Sequence, residues 1–470
     1  MHPVPRFPPE TLLPLLCGLF WLLAGGGSGF FGFLLSVGPG SLLLAGSVTT
    51  VLLPGDERAP QLAALGGAAG VVLALPVAFS AGLGNAFLLL LLSAASFVAA
   101  GWTSRRYASP HVDVPDPETT PLLALKVAGD EINLATMHIA RSSPLLRDPD
   151  RLNEEVEEVR SFFEEKGFLE KPAEYHVAPP PLENPRLLLT RVRDTRYEEL
   201  RFRSDYTPRA GEPGRERWLN YEVNRTAWAW VMRHEDGPRP WLMCMHGFGM
   251  GVPYFDLRAF RADVLHHKLG MNILIPVMPL HGPRKVGRRS GDLFLGGAFL
   301  NTIHAEAQAM WDARRLLSWM RLQNASAIGV YGLSLGGYTA ALLASLEKDL
   351  ACVIAGIPAT DLTALTQRID SPYKLEQLEQ AEFSWAHVHE VLRVVSPLAI
   401  PPKIPHERRF IFGGAVDRII PPNQVWALWR HWEQPRIAWY PGSHVSVHWE
   451  LEARALVREA LETGGLISED

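Results

Sequence analysis

Cysteine is scarce in this chain: 470 residues hold three, Cys17, Cys244 and Cys352, each isolated from the others. They form neither a disulfide framework nor a metal-ligand spacing, and they leave the redox compartment unread. There is also no strong excess of charge. Lys and Arg number 45 against 50 for Asp and Glu, a net of −5, so no electrostatic case exists for nucleic acid as a partner. No internal repeat and no low-complexity tract is present. The sharpest deficit is local, because residues 11–54 and 61–102 carry almost no charge.

Those two stretches are apolar throughout, from "TLLPLLCGLFWLLAGGGSGFFGF" to "NAFLLLLLSAASFVAAGW". A bilayer core takes about 20 apolar residues per helix, so each stretch is long enough for two spans. With turns at "SVGPGS" (36–41) and "AGLGN" (81–85), the spans fall near 11–34, 38–54, 61–80 and 85–102. Arg6, Arg58 and the pair Arg105–Arg106 flank the blocks, and the inner turns are uncharged. The positive-inside rule then puts every charged flank in the cytoplasm, which requires an even number of spans. A cleaved signal peptide would have an apolar region of about 7–15 residues and would leave the second block unexplained.

Composition changes at Thr103. Residues 103–194 read as a polar, proline-containing linker with one acidic amphipathic helix, "DRLNEEVEEVRSFFEEKG" (150–167). From 195 the rhythm is strand, turn, helix. "YEELRFRSDY" and "TAWAWVMRHE" alternate as edge strands do. "PWLMCMHG", "MNILIPVMPLHG", "ASAIGVYG", "LACVIAGIP" and "ERRFIFGGAVD" are apolar runs suited to strands buried on both faces. Helical patterns lie between them, so the class is α/β: a doubly wound, mainly parallel sheet over 195–470, preceded by an all-helical transmembrane block over 1–102.

One pentapeptide in this domain carries chemistry. Gly332-Leu333-Ser334-Leu335-Gly336 fits G-x-S-x-G between an expected strand and an expected helix. A sharp turn there strains the serine backbone, small neighbours relieve the crowding, and the hydroxyl is presented beside a helix N-terminus. Such a serine needs a base, and the base an orienting acid. Asp417 ends the apolar strand in "IFGGAVD", and His444 follows in the loop "PGSH", giving the chain order Ser, Asp, His. Asp361 is a second candidate for the acid. His448 is read as a core or surface histidine at the start of the last helix. His387, His389, His444 and His448 have no acidic or cysteine partner at ligand spacing, so no metal is expected, and nothing calls for a cofactor.

"HGFGMG" (246–251), "GLSLGG" (332–337), "GAVDRIIPP" (414–422) and "PGSH" (441–444) together resemble the α/β-hydrolase superfamily, over about residues 195–465. The resemblance implies an α/β-hydrolase fold with Ser334, His444 and Asp417 as a catalytic triad. It carries the oxyanion donors to the backbone N–H groups of Phe248 and Leu335. It also makes His281 in "MPLHGPR" a site-lining residue, and Gly247 and Tyr338 substrate contacts. The turn H-G-F-G stands where many lipases and esterases have H-G-G-G. The implied activity is serine-ester hydrolysis of a small-molecule or lipid ester at the membrane surface. An amidase, an acyltransferase of the same fold, or a non-catalytic membrane scaffold are the other readings. Between Pro358 and Arg408, residues 359–406 are expected to form a small helical cap lined by Leu378, Phe383, Trp385 and Val391.

Overall fold

A computed structural model describes residues 8–108, 111, 113–141, 149–295 and 299–468; Arg6, used above for orientation, lies outside them. The chain divides into two compact units. One comprises Met1–Ser142, Gly414–Pro422 and Trp439–Glu450; the other comprises Ser143–Gly413, Asn423–Ala438 and Leu451–Asp470.

The first unit is built on α1 (Leu12–Gly26), α2 (Gly29–Leu52), α3 (Arg58–Ala81), α4 (Leu83–Tyr107) and α5 (Pro121–Arg141). Helices α2, α3 and α4 are long and apolar enough to cross a membrane. At 24 or 25 residues and 1.5 Å per residue each reaches about 36 Å, beyond the roughly 30 Å of a hydrocarbon core. The turn expected at 36–41 does not form, because Pro39 lies inside α2. A helix in an apolar environment tolerates proline where neighbouring helices cover the freed carbonyl. The chain breaks instead at Gly27–Ser28, where Gly29 adopts φ +71°. Consequently α1 is only 15 residues long, preceded by a 3-10 turn over Pro9–Thr11. The second expected turn is in place, at Gly82 with φ +83°. Small residues bring the helices close: a Cβ on Gly46 of α2 would lie 2.9 Å from the Ala59 carbonyl of α3.

Helix α5 falls in the stretch read as linker. Leu123 and Val127 pack with Val114, Ala415 and Val416, while Ala128 packs with Ala63, Ala64 and Ala100. Its apolar residues therefore meet both the apolar helices α3 and α4 and the segment around residue 415. Gly101 permits the α4–α5 crossing, since a Cβ there would fall 1.8 Å from the Ala124 carbonyl oxygen.

The second unit begins with α6 (Pro149–Glu165), close to the expected amphipathic helix. Its strands are β1 (Arg186–Val192), β2 (Thr195–Arg203), β3 (Thr226–Met232), β4 (Trp241–Met245), β5 (Asn272–Val277), β6 (Ile328–Leu333), β7 (Cys352–Gly356), β8 (Arg409–Gly414) and β9 (Arg436–Tyr440). Among the described residues they form one sheet in the order β1-β2-β3-β5-β4-β6-β7-β8-β9. β1, β2 and β3 run antiparallel, and β3 meets β5 antiparallel. From β5 through β8 the pairs are parallel. Strands β4 to β8 are buried along their whole length, as apolar runs covered on both faces must be.

The remaining helices are α7 (Arg215–Leu219), α8 (Pro253–Ala259), α9 (Phe299–Leu322), α10 (Leu335–Leu346), α11 (Leu362–Ile369), α12 (Pro372–Gln380), α13 (Trp385–Leu392), α14 (Pro422–His431) and α15 (Leu451–Thr463). Antiparallel strands leading into a parallel sheet, with the β4–β5 crossover and helices between strands, make this the α/β-hydrolase fold. β1 is an extra edge strand that the sequence reading placed in the linker. Its tight turn to β2 holds Arg193 at φ +52°, and Leu188 and Leu189 are both exposed, so no apolar alternation marks it.

Candidate active site

The turn from β6 into α10 holds Ser334 at φ +58° and ψ −117°. Non-glycine residues avoid this region, and occupying it costs about 1–3 kcal/mol, so the surroundings must impose it. They do so from both sides. Ser334 N–H donates to the Gly356 carbonyl at 2.9 Å, and its carbonyl accepts from Tyr338 N–H at 3.1 Å and Ala359 N–H at 3.3 Å. The flanking glycines are required by space: a Cβ on Gly332 would lie 1.9 Å from the Gly336 oxygen, and one on Gly336 1.9 Å from the Met245 oxygen. The pentapeptide is thus a strained strand-to-helix elbow, with α10 directing its N-terminus at the serine.

Gly247 sits beside this elbow. A Cβ there would lie 3.7 Å from Ser334 Cβ and 3.4 Å from the Leu333 oxygen. The loop 246–251 after β4 therefore runs next to Ser334, with Phe248 following Gly247 and Leu335 opening α10. The Phe248 ring stands edge-on to His281 at 5.8 Å. His281 is fully buried, its Nδ1 bonded to the Pro279 carbonyl at 3.0 Å. Burial, then the neighbouring His246, push its pKa down to about 3, so it stays neutral at any working pH. Tyr338, expected as a substrate contact, is closed off from solvent, and its hydroxyl donates to the Val395 carbonyl at 2.7 Å.

The acid and base candidates meet within the other unit. His444 Nδ1–H donates to Asp417 Oδ2 at 2.6 Å. Asp417 Oδ1 accepts from the backbone N–H groups of Ile419 at 2.9 Å and Ile420 at 2.8 Å, which fixes the carboxylate against rotation. The Asp417 side chain is fully buried and that of His444 nearly so. Burial alone would push the imidazole pKa down. The Asp417 charge and hydrogen bond, with the Asp130 charge after them, outweigh it and hold His444 above its ordinary value. With Nδ1–H committed to Asp417, the neutral ring carries its lone pair on Nε2. Ser334, Leu335, Gly247 and Phe248 thus belong to one compact unit, and Asp417 and His444 to the other.

The alternative residues are engaged elsewhere. Asp361 caps α11, accepting from Ala364 N–H at 2.9 Å. His448 is exposed on a 3-10 turn over Val445–Trp449, ahead of α15 and outside it. Leu378, Phe383 and Val391 are buried, and Phe383 lies against Phe299 at 5.9 Å and Trp385 at 5.1 Å. Within residues 359–406 stand α11, α12 and α13, and Phe383 and Trp385 pack there against each other and against Phe299 of α9. Asn153 and Arg160 of α6 bind Ala381 and Glu390 of that segment, at 3.0 and 2.7 Å.

Sequence reasoning missed Asp130 and Glu131 of α5. Both are fully buried; Asp130 bonds to the segments that carry Asp417 and His444, and Glu131 bonds to Arg418 beside Asp417. The signal was present: "VAGDEINLA" sets two adjacent acids in an otherwise apolar helical pattern, and buried acids require partners.

No family model matches the chain. The uncharacterized protein MT2702 of Mycobacterium tuberculosis (strain CDC 1551 / Oshkosh) is 41% identical over 376 residues, covering 79% of this chain and 89% of the relative. The uncharacterized protein Rv2627c of strain ATCC 25618 / H37Rv gives the same identity and coverage. Among solved structures, an acetyl xylan esterase from Paenibacillus sp. R4 is 16% identical with a TM-score of 0.43, covering 64% of this chain and 93% of that one. Pyrococcus horikoshii acylaminoacyl peptidase is also 16% identical, with a TM-score of 0.38 over 61% of this chain and 42% of that one.

Proposed function

The chain belongs to the family of MT2702 and Rv2627c of Mycobacterium tuberculosis, and on that premise we propose that it is a membrane-bound serine hydrolase cleaving carboxylic esters of apolar, lipid-derived acids. The observation that carries the reading is the strained backbone of Ser334, an L-residue held at φ +58° at the tip of a β-strand beside a helix N-terminus. A fold keeps such strain where it serves a mechanism. The hydrogen-bonded Asp417–His444 pair supports the same reading from the other side of the chemistry.

In this mechanism Ser334 Oγ attacks the acyl carbonyl while His444 Nε2 takes its proton. Asp417 holds Nδ1–H and stabilises the imidazolium that forms. The N–H groups of Phe248 and Leu335 receive the oxyanion, where two donors are worth several kcal/mol. His444 then gives its proton to the leaving alkoxide. Water attacks the acyl-enzyme with His444 again as base, releasing the acid and restoring Ser334. Gly247 allows the close approach of the carbonyl, His281 supports the Phe248 ring, and Tyr338 acts through Val395.

Helices α2, α3 and α4, with residues 9–26 as the fourth crossing, anchor the protein with both termini in the cytoplasm. Supporting this, Glu10 at the start of the first crossing pairs with Arg106 at the end of the last, and Glu57 between α2 and α3 pairs with Arg418 at 3.5 Å. Charged groups at the helical block's start and end therefore pair with each other, as an even number of crossings demands.

Three measurements test the proposal. A fluorophosphonate probe labels the wild-type protein and leaves Ser334→Ala dark; labelling of a different residue, or none, overturns the hydrolase reading. In proteoliposomes, kcat/KM over a p-nitrophenyl ester series from acetate to decanoate rises about fourfold per methylene, the equivalent of about 0.8 kcal/mol. A preference for acetate overturns the lipid-derived substrate. A C-terminal alkaline phosphatase fusion stays inactive and a fluorescent-protein fusion is bright; the reverse overturns the cytoplasmic placement.

A further inference from the structure

Asp130 has no part in the mechanism above, yet among the described residues no carboxylate in its unit is better enclosed. It is fully buried in the middle of α5. Its Oδ2 accepts from the backbone N–H of Arg418 at 2.9 Å and from that of His444 at 2.9 Å, and its Oδ1 accepts from Val445 N–H at 3.0 Å. These donors come from two separate loops. One follows Asp417 directly; the other is the base itself and its neighbour.

Adjacent residues of α5 grip the same two loops. Glu131 accepts from Arg418 Nε at 2.9 Å and from Ser104 Oγ of α4 at 2.5 Å. The Lys126 carbonyl accepts from Ser443 Oγ at 2.9 Å, and Lys126 Nζ pairs with Glu450 at 2.7 Å. Burying a carboxylate is expensive, so an apolar residue would pack on this face at lower cost. Its removal, however, would take the acceptor from three buried or part-buried backbone N–H groups. A carboxylate binding peptide groups from two loops sets the distance between them, which an apolar contact does loosely.

We infer that Asp130 is a positioning residue: by holding the backbone of both loops from one helix, it fixes the Asp417–His444 pair in its working geometry. This rests on the reading of His444 as the base for Ser334. It gives the helical block a part in catalysis beyond anchoring, because α5 packs on α3 and α4 while it holds the acid and the base.

Charge adds a second effect. His444 is faced by Asp417 and Arg418 from the acid loop, and by Asp130 and Glu131 from α5, with Lys126 balanced by Glu450 and Arg418 also meeting Glu57. Asp130 is one of the charges that raise the imidazole pKa. Its own pKa is raised by burial and then by Asp417. Removing its charge lowers the His444 pKa. The base then stays neutral to lower pH, so the acid limb of the rate profile moves down.

The test uses the full chain in detergent, with p-nitrophenyl butyrate and the fluorophosphonate probe, on Asp130→Asn and Asp130→Glu. Asp130→Asn keeps the shape and loses the charge; kcat should fall about 10–100-fold, as small misplacements of catalytic groups cost. KM should stay within about twofold, probe labelling should slow in step with kcat, and the acid limb should shift to lower pH. Asp130→Glu, longer by a methylene, should lose kcat and keep the wild-type acid limb. Wild-type kcat and profile in a folded Asp130→Asn protein overturn the inference, and a change confined to KM does so too. Failure of both variants to give a cooperative melt also overturns it, leaving a carboxylate needed only for folding. The control separates the two levels: an inactive Ser334→Ala with normal Asp130→Asn refutes Asp130 alone, whereas an active Ser334→Ala refutes the hydrolase reading and Asp130 with it.

Discussion

If Ser334 is strained, replacing it with glycine should make the protein more stable than replacing it with alanine. Both changes delete the hydroxyl, so the comparison isolates the backbone. Alanine retains a Cβ at φ +58° and ψ −117°, whereas glycine enters that region without steric cost. Relief of strain is worth about 1–3 kcal/mol. Against it stands the greater freedom of glycine in the unfolded chain, about 0.4–1 kcal/mol. The balance favours Ser334→Gly by about 1 kcal/mol. Ser345, eleven residues on in the last turn of α10, provides the opposite case. There the backbone is helical, and alanine should exceed glycine by about 1 kcal/mol. The assay is thermal unfolding of the four purified variants, with about 2–4 °C expected per kcal/mol. Neither Ser334 variant should hydrolyse ester. A Ser334→Gly protein that melts below Ser334→Ala would refute the reasoning, because the elbow would then hold no strain for the serine to bear.

Three further outcomes follow from the same geometry. Gly336→Ala drives a Cβ to within 1.9 Å of the Met245 carbonyl, a backbone atom that cannot step aside, so it should destabilise by about 3 kcal/mol or more and abolish probe labelling; a folded, active variant would contradict the packing. His444→Ala should lower kcat by about 10⁴-fold or more, with little added by Ser334→Ala, while the exposed His448→Ala should leave turnover within about threefold, as steady-state kinetics would show. Because Asp417 and Asp130 hold the His444 pKa above its ordinary value, and only the neutral ring accepts a proton, kcat/KM should fall with decreasing pH through a midpoint above about 6.5; a midpoint below that in the wild-type protein would mean that burial outweighs the carboxylates.

Much of this was legible in the linear chain. Charge-free runs of about 40 residues can be satisfied only by lipid or a protein core, so the helical block needed no tertiary information. G-x-S-x-G after an apolar run marked the elbow: Gly332 answers crowding by Gly336, four residues on, although Gly336 itself answers the remote Met245 carbonyl of β4. The sequence pattern also offered Asp417 and His444 as candidates, since each follows a strand in the order this fold uses.

What the chain alone could not settle are contacts between residues distant in sequence. Pro39 was read as a turn residue, and only neighbouring helices make it tolerable within α2. Strand β1 lacks apolar alternation, and its strand character comes from pairing with β2. Tyr338, next to the elbow in sequence, spends its hydroxyl on Val395, 57 residues away. Asp130 is the extreme case: it meets His444 across 314 residues, and no local pattern reports which backbone groups a buried carboxylate will hold. Periodicity and turn chemistry are written locally, so the sequence by itself determined the helical block, the strand rhythm and the serine elbow. The pairing of acid and base loops on α5 is written in desolvated hydrogen bonds between remote segments, and those exist only once the chain has closed.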